Sequence, residues 1–485
     1  MSVIQDRLSA DINQILKTSN KNTVLNLKAT LHTPSNDIQL RWLESVVIYR
    51  DYNTSLGDYV IVDFRITADV YKEQIEIFKD NMEITIYGWY GSSGNYSDSD
   101  NKWPYEERYK LLIMNQKDTQ GDKSDNLSKS DMELTEIKMI RAQCVQREME
   151  MLRTVTTDGI FRNVTAKDYL YWLYTVNNGD YGKISGENVK YDCCIYPPNN
   201  EVPIESLIIP SGMKVLEIPA YIQNKGTGIY KGNIGTYMQK MYTVSDNKTE
   251  SQNIIFVYPL YNKDMFDTVV SPKTKLMVFY PANHLWDSTE NNFKEDGDVI
   301  KIIPSGKMVT DDDGENKLND QGAGYITNNP MGVLTRNLDI QSGTAEAEPS
   351  SSINAIHVQD KRDGMTYTPF VPNVSNEYVL QSELARNTMC SYVMKWRYCD
   401  MNKIYPGMPV NIVRSTTRDD IIEIKGSVQA TFCRWDVTSR CFSGVINIFA
   451  EKWSLNNPRV AGEWDTANDE SNPITGTQSL INKNK

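Results

Sequence analysis

The chain has 485 residues, with 51 Lys and Arg against 63 Asp and Glu, a formal net charge of −12. Its length predicts about two to four domains, and 40% apolar with 24% charged residues excludes a disordered chain. The acidity argues against wrapping DNA, since duplex affinity comes from neutralised phosphates; an acidic wall beside passing DNA is compatible with it.

Residues 1–20 read as an amphipathic helix, because Ile4, Leu8, Ile12, Ile15 and Leu16 recur at helical spacing among polar residues. No secretory signal is read, and no apolar run approaches the ~20 residues of a spanning helix, so the expectation is a chain made and kept in a cytoplasm. Residues 21–155 form a first β domain. Leu25, Leu27, Ala29 and Leu31 alternate with polar residues, as do Val60, Val62, Phe64 and Ile66, and again Met82, Ile84 and Ile86. Polar punctuation separates these runs at 34–37 and 53–58, with a Gly/Ser/Asn/Asp loop over 91–100 and a longer polar stretch over 115–131. Ile137–Arg153 fits either a helix or a long strand.

A mixed α/β middle region spans 156–282. Within it Thr165 is a helix N-cap with Asp168 in capping-box position, and Leu170, Leu173 and Tyr174 share one face. From Ile204 to Leu260 short apolar stretches alternate with Pro and Gly, and Lys275–Tyr280 is a strand. Residues 283–365 form a polar, loop-rich insert or arm with one strand, Val299–Ile303. A second β region, 366–460, opens with a helix over Asn376–Met389. It closes with a hairpin of Val428–Trp435 and Arg440–Ala450. Residues 461–485 are a flexible, polar tail.

The search for chemistry returns little. Three histidines, His32, His284 and His357, are scattered and give no zinc or general-base motif. Seven cysteines, Cys144, Cys193, Cys194, Cys390, Cys399, Cys433 and Cys441, form no C-x-x-C unit and read as free thiols. Gly226-Thr227-Gly228-Ile229-Tyr230-Lys231-Gly232 is one residue too long for a dinucleotide fingerprint. Ser305-Gly306-Lys307 meets Lys301 where a P-loop needs Gly. Asp311-Asp312-Asp313-Gly314 would put Val309 at the first ligand position of a calcium loop, and Asp98-Ser99-Asp100 meets Lys102 where an acid is required. No G-x-S-x-G elbow occurs; a spatial carboxylate pair stays open. No cofactor, metal or catalytic residue is assigned. The 28 Tyr and 9 Trp suit either protein contact surfaces or ordinary cross-strand pairs.

Two stretches carry a family resemblance. Ile404–Val413, with Pro406, Gly407 and Val410, is followed by Ile421–Lys425, Val428–Phe432 and Gly444–Ile448. This is similar to the PG-x-x-V strand, short excursion and closing hairpin of baseplate hub proteins of contractile-tailed phages. Val46–Tyr52 followed by Asp58–Val62 resembles the hub opening, and Ala220–Tyr242 with return strand Ile254–Tyr258 resembles a middle hub segment. The resemblance implies an α+β, mainly β fold with two small antiparallel tube-like β-barrel domains, in which Pro406, Gly407, Val410 and Gly444 are structural motif residues. It also implies a non-enzymatic homotrimer in the virion baseplate, synthesised in the host cytoplasm. The ring would adapt a six-fold tail tube to a three-fold central spike. Tube, spike and wedge proteins would be its partners; DNA would be only passing cargo, and no membrane insertion is expected. Another tail component (wedge, adaptor or receptor-binding part) and a tail-associated cell-wall hydrolase are the alternatives.

Overall fold

A computed structural model describes residues 25–53, 57–78, 81–90, 105–116, 137–176, 191–245, 248–263, 265–266, 275–280, 293–304, 309–310, 378, 382, 389–397, 403–415 and 421–451. The predicted helix over 1–20, the tail over 461–485, and nearly all of the insert beyond residue 310 and of the helix over 376–389 lie outside these residues.

The N-terminal strands are β1 (Leu25–His32), β2 (Asp37–Leu40), β3 (Trp42–Asp51), β4 (Tyr59–Thr67), β5 (Glu83–Tyr90), β6 (Tyr105–Gln116) and β7 (Ile137–Gln146). Period-two alternation sets their inner face: Leu27, Ala29 and Leu31 of β1, Val60, Val62 and Phe64 of β4, and Ile84 and Ile86 of β5 are all buried. The polar punctuation after β1 is a turn in which the Asn36 N–H donates to Thr33 Oγ1 at 3.0 Å. A helical stretch over residues 68–78, not predicted, buries Tyr71 and Ile75. The ambiguous stretch 137–153 proves to be both elements in turn. Ile140, Ala142 and Cys144 are buried at strand spacing; Met149 and Leu152 are then buried at helical spacing in the helix Arg147–Arg153.

The middle region contains β8 (Thr156–Val164), β9 (Tyr191–Ile195), β10 (Ile204–Lys214), β11 (Ile234–Ser245) and β12 (Lys248–Pro259), with helices at Ala166–Tyr171 and Ile218–Lys225. Thr165 caps the first helix as the spacing predicts: the Asp168 N–H donates to Thr165 Oγ1 at 3.0 Å, and Leu170, Leu173 and Tyr174 are buried. β8 and β10 form a two-stranded ribbon, while β9, β12 and β11 form a separate three-stranded sheet.

The remaining strands are β13 (Lys275–Tyr280), β14 (Phe293–Asp296), β15 (Val299–Ile302), β16 (Val309–Thr310), β17 (Met389–Arg397), β18 (Pro409–Ser415), β19 (Ile421–Asp436) and β20 (Phe442–Glu451). Together with β1–β7 they make one fifteen-stranded sheet, and the fold is mainly β. Its main pairing path runs from β14 to β2 and stays open among the described strands. Two details differ from expectation. The insert supplies three strands, β14 to β16, where one was read. The C-terminal part is not purely antiparallel, since β13 runs parallel to both β15 and β18. That parallel pairing requires a crossover, which the long chain between residues 280 and 409 provides.

The sheet is joined through β19. Its first half, Ile421–Ser427, pairs with β18, and its second half, Ala430–Asp436, pairs with β3. Beneath this junction lies an ion pair that is almost wholly buried. Arg50 reaches Asp58 at 3.1 Å, with side chains 2% and 3% exposed. The Tyr237 hydroxyl donates to Asp58 Oδ1 at 2.9 Å, and the Gln146 N–H donates to the Asp58 carbonyl at 3.1 Å. Removing one partner of such a pair leaves a buried charge uncompensated. Asp58→Ala is therefore expected to cost about 3–5 kcal/mol, read as a lower urea midpoint. Arg50→Met with Asp58→Leu should cost less than Asp58→Ala alone, and a larger loss in the double variant would contradict this account.

Candidate functional site

The motif residues Pro406, Gly407 and Val410 come together at one place, and Gly444 does not join them. Residues 405–408 form a turn closed by the Met408 N–H donating to the Tyr405 carbonyl at 3.2 Å. Gly407 sits at φ +67°, and a Cβ there would collide with the ring of Tyr258. Val410 is buried, opposite Leu276 of β13 and Gly426 of β19. Gly444 is buried opposite Trp396 and Cys433. The seven residues of β19 from Gly426 to Cys433 put Gly444 about 23 Å away along the strand.

The turn rests on a seam of tyrosines that sequence reading did not single out. Tyr52, Tyr196, Tyr230, Tyr237, Tyr258 and Tyr405 are all fully buried. The Tyr196 hydroxyl donates to the Pro406 carbonyl at 2.9 Å, and the Tyr230 hydroxyl donates to the Tyr196 carbonyl at 2.7 Å. The Tyr258 hydroxyl donates to the Tyr52 carbonyl. The Tyr52 hydroxyl donates to Gln239 Oε1 at 3.2 Å, and Gln239 Nε2 passes the chain on to the Ile404 carbonyl at 2.7 Å. Tyr52 and Tyr237 meet edge to face at 4.9 Å. The phenols of Tyr52, Tyr196, Tyr230, Tyr237 and Tyr258 thus satisfy their O–H while their rings fill the core. Burial holds all six above the ordinary tyrosine range and keeps them protonated. The only sequence signal was the abundance of Tyr, which does not say which rings face inward.

Elsewhere the suspected sites have structural occupants. The Gly226–Gly232 loop is read by Gln223, whose Oε1 accepts from the N–H groups of Ile229 and Tyr230 at 2.8 and 3.0 Å, so those donors do not face a phosphate. His32 contacts Asp37 at 2.7 Å and Thr85 at 2.8 Å through its two ring nitrogens. His284, His357, Cys399 and the motif residues at 98–102, 305–307 and 311–314 lie outside the described residues. None of the six described cysteines is in a disulfide, and burial pushes the Cys433 thiol up to about 12. No group of three or more potential metal ligands occurs among the described residues, and no described helix is long and apolar enough to cross a membrane. A cleft of about 510 Å³ lies beside β9, lined by Lys167, Asp168 and Tyr171 on one side and by Cys193, Ile254 and Phe256 on the other. On the β8–β10 ribbon, Ile160 and Ile208 stand directly opposite each other, 67% and 56% exposed.

No family model matches the sequence, and no curated protein matches it. The fold is similar to those of tail proteins. A tail protein from Neisseria meningitidis aligns over 87% of this chain and 96% of its own, at 7% identity and a TM-score of 0.40. A 43 kDa tail protein of prophage MuSo2 from Shewanella oneidensis aligns over 87% and 96%, at 11% identity and a TM-score of 0.38. An Escherichia coli component of the type VI secretion system aligns over 89% of this chain and 79% of its own, at 6% identity and a TM-score of 0.37. At these values the likeness concerns the course of the chain, and no role is taken from it.

Two outcomes follow from the seam. Gly407→Val combines a strained positive φ with overpacking against Tyr258, a cost of roughly 2–6 kcal/mol; a wild-type melting temperature would overturn this. The fold also holds its phenols neutral, so the unfolded chain binds fewer protons above the ordinary tyrosine pKa. Stability present below about pH 10 should fall as pH rises, by up to about 1.4 kcal/mol per unit for each buried tyrosine. Urea midpoints should drop above pH 10, and the share of phenolate absorbance due to these six tyrosines should appear only with unfolding. Full phenolate titration in the folded chain near pH 10 would contradict it.

Proposed function

We propose that the chain is a structural subunit of a phage-tail baseplate hub, without a catalytic site. In this reading it forms a trimeric ring between a six-fold tail tube and a three-fold central spike. The observation that carries the proposal is the change of partner along β19. One strand serves two strand groups, the β18 group over residues 421–427 and the β3 group over 430–436. Each group would be one tube-like barrel: the β3 group falls within the proposed domain at 21–155, whereas the β18 group adds β13 to β15, residues 275–302, to strands of the proposed domain at 366–460, with 156–282 read as the mixed region. Two such units per subunit in a three-fold ring would present a pseudo-six-fold face.

The order of the Pro406-Gly407 turn, β18, β19 and β20 supports this reading, as do the sheet ends. β2 and β14 terminate the pairing path with four residues each. Open edges of that kind call for cover or for a neighbouring subunit. The net charge of −12 fits a ring through which DNA passes without being held. The tube, spike and wedge proteins of a contractile tail would be the partners and the virion the location. The Ile160–Ile208 pair is a contact for one of them, because facing exposed apolar side chains gain by burial.

Native mass spectrometry of the purified chain should give a species of three times 55.4 kDa, and particle imaging should show a three-fold ring at the baseplate. Ile160→Asp with Ile208→Asp should lower incorporation into particles while leaving the melting temperature of the isolated chain unchanged. A monomer in the particle would refute the hub reading.

A further inference from the structure

The N-terminal strands pair in the order β3–β4–β7–β6–β5–β1. β2 continues the sheet beyond β1, but it covers only Ala29–His32, so the start of β1 lies past it. Both β3 and the start of β1 meet one short stretch from the other end of the chain, residues 429–440. On the β3 side, residues 430–436 of β19 pair with Ser45–Asp51. This ladder is extended at both tips. The Tyr52 N–H donates to the Gln429 carbonyl at 2.9 Å, and the Val437 N–H donates to the Glu44 carbonyl at 3.0 Å. On the β1 side, the Leu25 N–H donates to the Arg440 carbonyl at 2.8 Å, and Trp435 Nε1 donates to the Leu25 carbonyl at 2.8 Å. Leu25 is thus held through both of its backbone groups, by residues as far as Trp435, 410 positions away in sequence, and beyond.

Packing follows the same geometry. Cys433 and Trp435 are buried in one cluster with Leu25, Leu27, Val46 and Ile48. The turn that follows is braced. The Arg440 N–H donates to the Asp436 carbonyl at 2.8 Å, and the Arg434 guanidinium donates to Asp436 Oδ1 at 2.9 and 3.0 Å. Arg440 takes φ +47°, a left-handed conformation that a residue with a Cβ seldom adopts, and in it the carbonyl meets Leu25.

We propose that residues 429–440 are a clasp on the N-terminal strand group: they hold β1 and β3 together, and the group opens as one unit when the clasp lets go. Without them β3 has a bare edge, Leu25 loses two backbone partners, and the place of the Trp435 ring is empty. The strands of the group are complete at residue 146, yet they close only once residue 440 has been made. The inference does not rest on the hub reading.

Hydrogen exchange of the full-length chain, read segment by segment by mass spectrometry, tests this. Trp435→Phe keeps an aromatic ring and removes the N–H that holds Leu25. Exchange should quicken by at least about tenfold in Leu25–His32 and Trp42–Asp51 together, because it follows the local opening equilibrium, while β8 and β10 keep their wild-type rates. A second variant shuts the clasp instead. Glu44→Cys with Val437→Cys joins two residues whose backbones already bond; oxidation should slow exchange in the same two strands, and reduction should undo it. Faster exchange confined to residues 429–451, or no change in any segment, would overturn the proposal. So would an equal rise in β8 and β10, which marks general destabilisation, and so would a cysteine pair that fails to cross-link or leaves β1 unaltered.

Discussion

β19 changes neighbours in the middle of its course, and the rest of the sheet is arranged around that change. A strand has only two edges, so β19, which pairs with β20 on one edge from Gly426 to Trp435, can serve β18 and β3 on the other only in succession. The handover falls at Gln429, where the register with β20 shifts by one residue. A bulge supplies the extra twist that turns the strand from one group toward the other. It also leaves a residue outside the ladder, whose polar groups need partners elsewhere. Gln429 solves this in both directions. Its carbonyl accepts from the Tyr52 N–H at 2.9 Å, and its side-chain amide bonds the Leu260 carbonyl and, at 3.0 Å, Ser427 Oγ. One irregular residue thereby ties the end of β3, the end of β12 and the end of β18's partner segment to a single point.

The polar seam under that point is unusual in composition. A core can be filled with Leu and Ile at lower risk, since a buried polar group without a partner costs about 1–3 kcal/mol. Here the phenols, Gln239, Gln429, Arg50 and Asp58 form connected pairs, and most of their bonds cross between segments far apart in sequence. Tyr52 meets Gln239, Tyr237 meets Asp58, and Tyr196 meets Pro406. Apolar packing tolerates sliding between layers; directional bonds do not. The seam therefore fixes the middle sheet against the two groups of the large sheet in one register.

The sequence made the local elements legible where one physical rule dominated. β4 and β13 followed from alternation and from a short apolar run, and the Thr165 cap followed from its hydroxyl and the helical spacing after it. The Pro406-Gly407 turn was also readable, because only Gly accepts the positive φ without strain. What stayed hidden was long-range. Nothing local to Tyr196 or Tyr258 shows that their hydroxyls meet backbone carbonyls in other segments, and a Gln at position 429 carries no mark of a bulge. The helical stretch at 68–78 was missed because its three buried residues, Ala68, Tyr71 and Ile75, are also compatible with a loop packing on a sheet. The parallel course of β13 was missed because strand direction is set by the connection, and that connection is long and polar.

A continuous β19 has a mechanical consequence. Its sixteen residues extend roughly 53 Å, and both strand groups hydrogen-bond to the same backbone. A displacement of one group relative to the other must therefore either break ladder bonds or pass through the bulge at Gln429. The bulge is the weakest point of the ladder, but it is the point that the tyrosine seam and the Leu260 carbonyl brace from below. Flexing there would strip partners from buried groups that have no water to replace them, so the cost rises steeply with the first broken bond. Two strand groups on one strand are thus coupled through its backbone, although one is built from residues 25–146 and the other draws on residues 275–302 and 409–415.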